Sequence, residues 1–192
     1  MKLFEKLPHH IISNGKKIRV NLDFRNVLKM MEIMARDDLM PEAREYLALK
    51  CICRHPRRGM MRDARRLLFS DAPADPHERI MDFEQDAELI IAAFRQVYGI
   101  NLYKDKLHWF EFSCLLSCMP DGSKYSEILG IRARPIPAAT KYNQAERDWL
   151  IKAKAEYALN FSDKEAEMNY QNGIHEITAG MMEMLRGDEN HG

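Results

Sequence analysis

Histidine and cysteine are the residue types in this sequence with the spacing to carry out chemistry. His108 and Glu111 lie one helical turn apart and could act as an acid/base pair. A hydrogen-bonded polar pair at the margin of a buried helix explains the same spacing without any reaction. We prefer that interpretation, and no catalytic residue is predicted.

The four cysteines could instead bind zinc. Cys51 and Cys53 form a C-x-C pair, while Cys114 and Cys118 are spaced to share one face of a helix. Four thiolates could hold zinc if their helices pack together. Within a helix, however, alternate residues point about 200° apart, which separates the sulfurs of a C-x-C pair. We expect reduced cysteines in the core, and neither a metal nor another cofactor.

Arginine is concentrated in one segment. Residues 54–66 contain six arginines, four of which would share one helical face: Arg58, Arg62, Arg65 and Arg66. Residues 71–88 then contain seven carboxylates and one arginine. The Arg54–Arg66 face could bind nucleic-acid phosphates, could contact a protein or a second subunit, or could simply be solvated. Nucleic acid is the less favoured partner because the acidic segment follows directly.

Methionine offers a second candidate surface. The chain has thirteen methionines, and most are expected in the core. Met181 and Met182, with Leu185, lie on a predicted terminal helix that Gly180 weakens. Because flexible thioether side chains suit surfaces that accept a partner helix, these three residues are predicted to contact a protein.

Composition excludes several classes of protein. Lys plus Arg number 29 and Asp plus Glu number 29, so the chain is not a polycation. The longest apolar run, residues 89–94, is far shorter than the roughly 20 residues that span a bilayer. The N-terminus lacks the apolar region of a secretory signal. No P-loop, dinucleotide fingerprint or nucleophile elbow is present. We therefore expect a cytoplasmic protein that is neither an enzyme nor bound to a membrane.

Two periodicities predict the elements that position these residues. Residues 1–22 are predicted to form a β-hairpin, because Ile18 and Val20 alternate with Lys17 and Arg19 and Asn14-Gly15 suits a type I′ turn. From Asp23 the period becomes helical. Helices are predicted from Asp23 to Ala35, from Pro41 to before Pro56, from Met60 to Phe69, from Asp82 to Gly99, from Lys106 to Met119, from Lys124 to Leu129, from Asn143 through Tyr157, and from Ser162 onward.

The expected fold is mainly α, a single domain in residues 1–192. It consists of a helical bundle of about six to eight helices with an N-terminal β-hairpin. Residues 23–159 form the helical core and residues 160–192 a C-terminal helix. Lys106–Met119 is apolar nearly all round, which predicts a central helix covered on several sides. In the helix that Asn143 begins, Trp149, Leu150 and Ala153 are predicted to face inward.

Several runs in the sequence resemble the bacteriophage gene-product-fifteen family of long-tailed phages and prophages. They are VNLDFR at 20–25, DFEQDAELIIAAF at 82–94, YGINL at 98–102 and LHWFEF at 107–112. The resemblance covers roughly residues 10–160 and is densest at 82–116. The Arg54–Arg66 face and the cysteines are expected to lie outside the family's motif.

This resemblance implies a role in phage assembly, because such proteins are typically encoded beside the tail genes. It implies a non-enzymatic tail-assembly chaperone or accessory factor, in the host cytoplasm or in the virion. The expected partners are tape-measure or tail proteins, with self-association possible. Two alternatives stay open, a nucleic-acid-binding phage accessory protein that uses the Arg54–Arg66 face and an enzyme built on the cysteines or His108.

Overall fold

The computed structural model of the protein describes residues 6–69 and 80–160. Strands β1 (His10–Ser13) and β2 (Lys16–Arg19) pair antiparallel. Asn14 and Gly15 connect them with φ values of 50° and 71°. Two positive φ values in a two-residue loop define the type I′ turn, so the predicted hairpin is confirmed.

The predicted helical bundle is also confirmed. The described residues contain α1 (Phe24–Ala35), α2 (Pro41–Ile52), α3 (Met60–Leu68), α4 (Ala87–Ala93), α5 (Trp109–Ser117), α6 (Lys124–Ala133) and α7 (Gln144–Glu156). A π-helical turn, Phe94–Tyr98, continues α4. The helix predicted from Ser162 onward lies outside the described residues. No helix in the described ranges has the length and apolar character to cross a bilayer.

Capping residues account for several of the predicted helix boundaries. The Asp23 carboxylate accepts from the backbone N–H of Arg25 at the start of α1. Gly99, at φ 69°, ends the π turn in the left-handed conformation. Asp82, however, caps the turn that precedes α4 by accepting from the N–H groups of Glu84 and Gln85, and α4 starts only at Ala87.

Helix α5 starts later than its apolar pattern predicted, and its N-terminal flank is extended. Phe24 N donates to the carbonyl of Leu107 at 3.0 Å, and Trp109 N donates to that of Leu22 at 2.7 Å. These two bonds flank a β-bridge between Asp23 and His108. The bridge holds residues 106–108 outside the helix, which corrects the predicted start at Lys106.

The core is centred on one aromatic ring of α5. Phe112 stacks on Phe24 at 4.5 Å and on Phe94 at 5.2 Å between ring centroids. It therefore joins α1 to the end of α4. Other residues of α5 are exposed, including Glu111 and Cys114. The helix is thus central, as predicted, but one of its faces is open.

A smaller hydrophobic cluster packs α7 against α6. Leu150 and Ala153 pack with Ile131 of α6, and Tyr157 lies against them. Trp149 is 52% exposed, so its predicted inward orientation is wrong. It is adjacent to Leu150, which is completely buried. Successive helical residues point about 100° apart, and the small cluster covers only the Leu150 side.

Candidate partner-binding groove

A basic groove runs between the hairpin and the segment that joins α2 to α3. It has a volume of about 1110 Å³. One side is formed by His9, His10, Lys17, Ile18, Arg19, Val20 and Asn21, and the other by Ile52, Cys53, Arg54, His55 and Arg57. We call this feature the basic groove.

Its lining is strongly cationic. Four permanently charged side chains and three histidines line it, and none of the described lining residues carries a carboxylate. Partial desolvation lowers the pKa of His10, and the charges of Lys17 and Arg19 lower it further. An anion bound here would reverse part of that effect, because a nearby negative charge favours the imidazolium.

The groove also presents the edge of a β-strand. In a two-residue hairpin loop, the pair that flanks the turn, Ser13 and Lys16, exchanges backbone hydrogen bonds. Alternate pairs follow, so Ile18 bonds to β1, and Val20 N donates to the His9 carbonyl at 2.9 Å. The backbone N–H and C=O groups of Lys17 and Arg19 must therefore point away from β1.

The next outward-facing group along this edge already has a partner. Asn21 N donates to the carbonyl of Ile52, the last residue of α2, at 2.7 Å. Residues 53–57 then diverge from the hairpin and form the opposite wall. Among residues 6–69 and 80–160, no backbone hydrogen bond joins the outward groups of Lys17 and Arg19 to another element. The edge is thus closed at Asn21 and open at the two positions before it.

The floor of the groove is apolar and buried. Ile52, Val20 and Cys53 are buried, with 1%, 4% and 6% exposure. Cys53 Sγ lies 4.0 Å from Met60 Sδ in α3, and burial raises the pKa of the Cys53 thiol. This thiol packs as a small apolar group, as expected for a core cysteine.

The predicted arginine face lies beside the groove rather than in it. Arg62, Arg65 and Arg66 are exposed along α3, and Arg58 is exposed in the turn before it. The opposite side of α3 buries its apolar residues. Arg54 and Arg57 of the same segment turn into the groove. Whether this face binds a partner stays a prediction, and Met181, Met182 and Leu185 lie outside the described residues.

One carboxylate of the acidic segment has a different partner from the arginine face. Asp86, completely buried, accepts from Arg132 of α6 in a bidentate pair at 2.7 and 2.9 Å. Arg132 also donates to the carbonyls of Tyr157 at 2.6 Å and Ile80 at 3.0 Å. Through these bonds Arg132 links α6 to Asp86, Ile80 and Tyr157. The role of the pair is therefore structural.

His108 is used as a helix cap. Its Nδ1 accepts from Phe110 N at 3.3 Å, and its Nε2 lies 2.9 Å from the carbonyl oxygen of Pro8. Nε2 must carry the proton, because a carbonyl can only accept. Both ring nitrogens are therefore engaged by backbone groups, and Glu111 is exposed. His108 is thus a positioned polar group, but it does not bond to Glu111, so the preferred interpretation as a hydrogen-bonded pair is wrong.

The cysteines are divided between two environments. Cys51 and Cys53 are half-buried and buried, while Cys114 and Cys118 are exposed on α5 and at its end, so the expected core position is wrong for these two. Within the described ranges, no three His, Cys, Asp or Glu side chains are grouped so as to hold a metal ion.

A second, smaller cavity of about 240 Å³ lies between α1 and α4, next to Phe112. Its lining is almost entirely apolar, and Arg25 is its only charged residue. That guanidinium donates to the carbonyls of Leu102 and Asp105 at 2.6 and 2.7 Å. With its one charge already engaged, this cavity is a weaker candidate for recognition than the basic groove.

Sequence reasoning located the basic segment 54–66 but missed the groove, because Arg58, Arg62, Arg65 and Arg66 do not line it. The alternation of Ile18 and Val20 with Lys17 and Arg19 was visible as a hairpin. The feature of the sequence that could have indicated a binding site is the basic character of one face of β2, which carries Lys17 and Arg19. The sequence did not show that this face lies across from Arg54 and Arg57, because that juxtaposition depends on how α2 packs.

Comparison with known proteins finds one match, which covers the second part of the chain. Residues 68–159 match the family model described as Bacteriophage Gp15 protein. No curated protein and no solved structure matches the chain. The match begins at the end of α3, so the hairpin, the basic groove and the arginine face lie outside it. Cys114 and Cys118, expected to be outside the motif, lie within the matched range.

The resemblance seen in the sequence from about residue 10 is thus confirmed from residue 68 onward. The runs at 82–94, 98–102 and 107–112 all fall inside this range. They build α4, its π turn and the start of α5 around Phe112. Over residues 68–159, the chain therefore matches the bacteriophage Gp15 family, which supports its identification as a phage protein.

Proposed function

We propose that this phage protein is a non-enzymatic tail-assembly chaperone or accessory factor that binds a tape-measure or tail protein. The family region makes it a bacteriophage protein. The role in tail assembly is supported by the resemblance described above, which implies a gene beside the tail genes.

One structural observation carries the proposal that the partner is a protein. The basic groove combines a strand edge, open at Lys17 and Arg19, with an apolar floor. A strand edge offers alternating donors and acceptors that only another polypeptide backbone matches along its length. The groove is therefore better suited to a polypeptide than to a small substrate.

Co-purification tests this function. The full-length protein is co-expressed in turn with the tape-measure protein and with each tail protein of the same phage, with its head proteins as controls. We expect a stable complex with at least one tail or tape-measure protein and with no head protein. Failure to recover any tail protein, under conditions in which the phage assembles, would refute the proposal.

Nucleic-acid binding is a second candidate because of the charge of residues 6–69. This region contains 15 Lys and Arg against seven Asp and Glu. Retention of DNA at physiological ionic strength, with a steep salt dependence that Arg62→Glu and Arg65→Glu abolish, would favour it. Retention seen only at low salt would leave the protein partner as the better account.

A further inference from the structure

We propose that the basic groove receives an acidic, extended segment of the protein partner, which adds as a third strand to the open edge of β2. This inference rests on the proposed function, since it assumes a protein partner. It adds the position, conformation and chemistry of the segment that binds.

The hairpin register fixes where the added strand would bond. Lys17 and Arg19 each direct one N–H and one C=O away from β1. The bond from Asn21 N to the Ile52 carbonyl shows that this edge already accepts a neighbouring backbone. An incoming strand would bond to the same edge of β2, at Arg19 and Lys17, which lie between Asn21 and the hairpin turn. It would occupy the space between β2 and residues 53–57.

Side-chain alternation then predicts the sequence pattern of the segment. Lys17 and Arg19 project from the exposed face of the hairpin, whereas Ile18 and Val20 project towards its buried face. Neighbours on adjacent strands share a face. Acidic residues of the added strand would lie beside Lys17 and Arg19, and the alternate, apolar residues beside Ile18 and Val20.

The opposite wall supports the same charge preference. Arg54 and Arg57 face the groove from the other side, and His55 lies between them. A segment of alternating acidic residues would thus have cations on both of its sides. Because no described lining residue is acidic, a neutral or basic strand would leave these charges uncompensated.

The lining favours a polypeptide over a nucleic acid. Single-stranded nucleic acids are held by bases stacked on aromatic side chains, and no Phe, Tyr or Trp lines the groove. Its floor is formed by aliphatic and thiol side chains. Tighter binding of a nucleic acid than of the peptide would therefore overturn the proposal.

The first test isolates the strand-edge hydrogen bond. A fluorescent peptide in which glutamate alternates with valine is titrated into the full-length protein, and binding is followed by anisotropy. Lys17→Gln removes a charge only, whereas Lys17→Pro also removes the outward N–H. Neither change touches the ladder to β1, which uses the backbone groups of Lys16 and Ile18.

We expect Lys17→Gln to weaken binding about threefold, and Lys17→Pro to weaken it about tenfold more. The exposed Lys152→Gln in α7 is the matched charge control and should change nothing. The same peptide N-methylated at its valines or at its glutamates tests the backbone bonds from the partner's side, in case Lys17→Pro does not fold. One of the two forms should lose binding to the unaltered protein.

Three results would overturn the proposal. The first is that Lys17→Pro and both methylated peptides bind like their controls. The second is that a peptide with lysine in place of glutamate binds equally well. The third is that a single-stranded oligonucleotide binds more tightly than the peptide. Co-purification separates this inference from the function. A tail protein that still co-purifies with Lys17→Pro and with Arg19→Glu would refute the groove while leaving the function intact.

Discussion

The two described parts of the chain carry charge in different ways. Residues 6–69 contain 15 Lys and Arg against seven Asp and Glu, whereas residues 80–160 contain ten against eleven. The first part forms the basic groove and lies almost wholly outside the family match, while the second lies almost wholly inside it. The chain is therefore neutral overall although residues 6–69 carry a basic surface. Both parts contribute buried residues to the core, and the family match does not extend over that surface.

Arginine shows the same contrast at the level of single residues. Arg132 in the second part pairs with the buried Asp86, and its side chain is only 11% exposed. Arg57 and Arg19 in the first part are exposed along the groove. A buried, paired arginine fixes the packing of its neighbours, while exposed, unbalanced cations remain available to an anion. The expectations below test this division, from the largest effect to the smallest.

The largest effect is expected where the two parts meet. Phe112→Ala removes a ring that is 1% exposed and stacks between Phe24 and Phe94. We expect a loss of about 3–5 kcal/mol in the free energy of unfolding, measured with urea. Phe110→Ala, at a half-buried position of the same helix, is the control and should cost less.

The shape of that transition also tests the comparison. If one core joins both parts, the unaltered protein should unfold in a single transition that Phe112→Ala shifts as a whole. Two separate transitions, with only one of them shifted, would mean that the parts are independent domains.

The next effect tests the buried pair of the second part. Arg132→Ala leaves the Asp86 carboxylate buried without its partner, which should cost about 3 kcal/mol. Arg134→Ala, two residues along the chain, breaks an exposed pair with Glu146 and should cost less than about 1 kcal/mol. Equal losses in urea unfolding would show that burial does not distinguish the two arginines.

A smaller effect should appear only at alkaline pH. Burial raises the pKa of Tyr125, beside Asp86, to about 12. Because the folded state retains the phenol proton, this contribution to stability is complete below about pH 10 and is lost as the pH rises to about 12. Between these limits the protein should lose about 2 kcal/mol more than Tyr125→Phe. Parallel pH profiles of the two proteins would refute this.

The smallest effect concerns the turn that sets the register of β2. Gly15 has φ 71°, a conformation that costs an L-residue about 1 kcal/mol. Gly15→Ala should lower the free energy of unfolding by about that amount. Loss of binding to the acidic peptide without any loss of stability would mean that the turn acts on the partner directly.

Local rules predicted much of the fold. Asn14-Gly15 required the hairpin turn, Asp23 capped α1, and Gly99 ended the helix containing Phe94. Each of these depends on a few neighbouring residues. The same reasoning failed at Lys106, because the bridge between Asp23 and His108 is a contact between distant segments.

Contacts between distant segments, including those that form the candidate site, could not be predicted by such rules. Asp86 and Arg132 are 46 residues apart, and nothing in the sequence of the acidic segment distinguished Asp86 from its exposed neighbours. The groove brings Lys17 and Arg19 opposite Arg54 and Arg57 through the packing of α2. Charge composition located the basic segment, but only the tertiary structure shows which of its arginines share a site with the hairpin.

The most direct test of the account is amide hydrogen exchange, measured residue by residue with and without the bound tail or tape-measure protein. The N–H groups of Lys17 and Arg19 point outward, while that of Ile18 already bonds to β1. The account predicts that the partner slows exchange at Lys17 and Arg19 and leaves Ile18 almost unchanged. Protection confined to residues 80–160, with Lys17 and Arg19 exchanging as in the free protein, would contradict it.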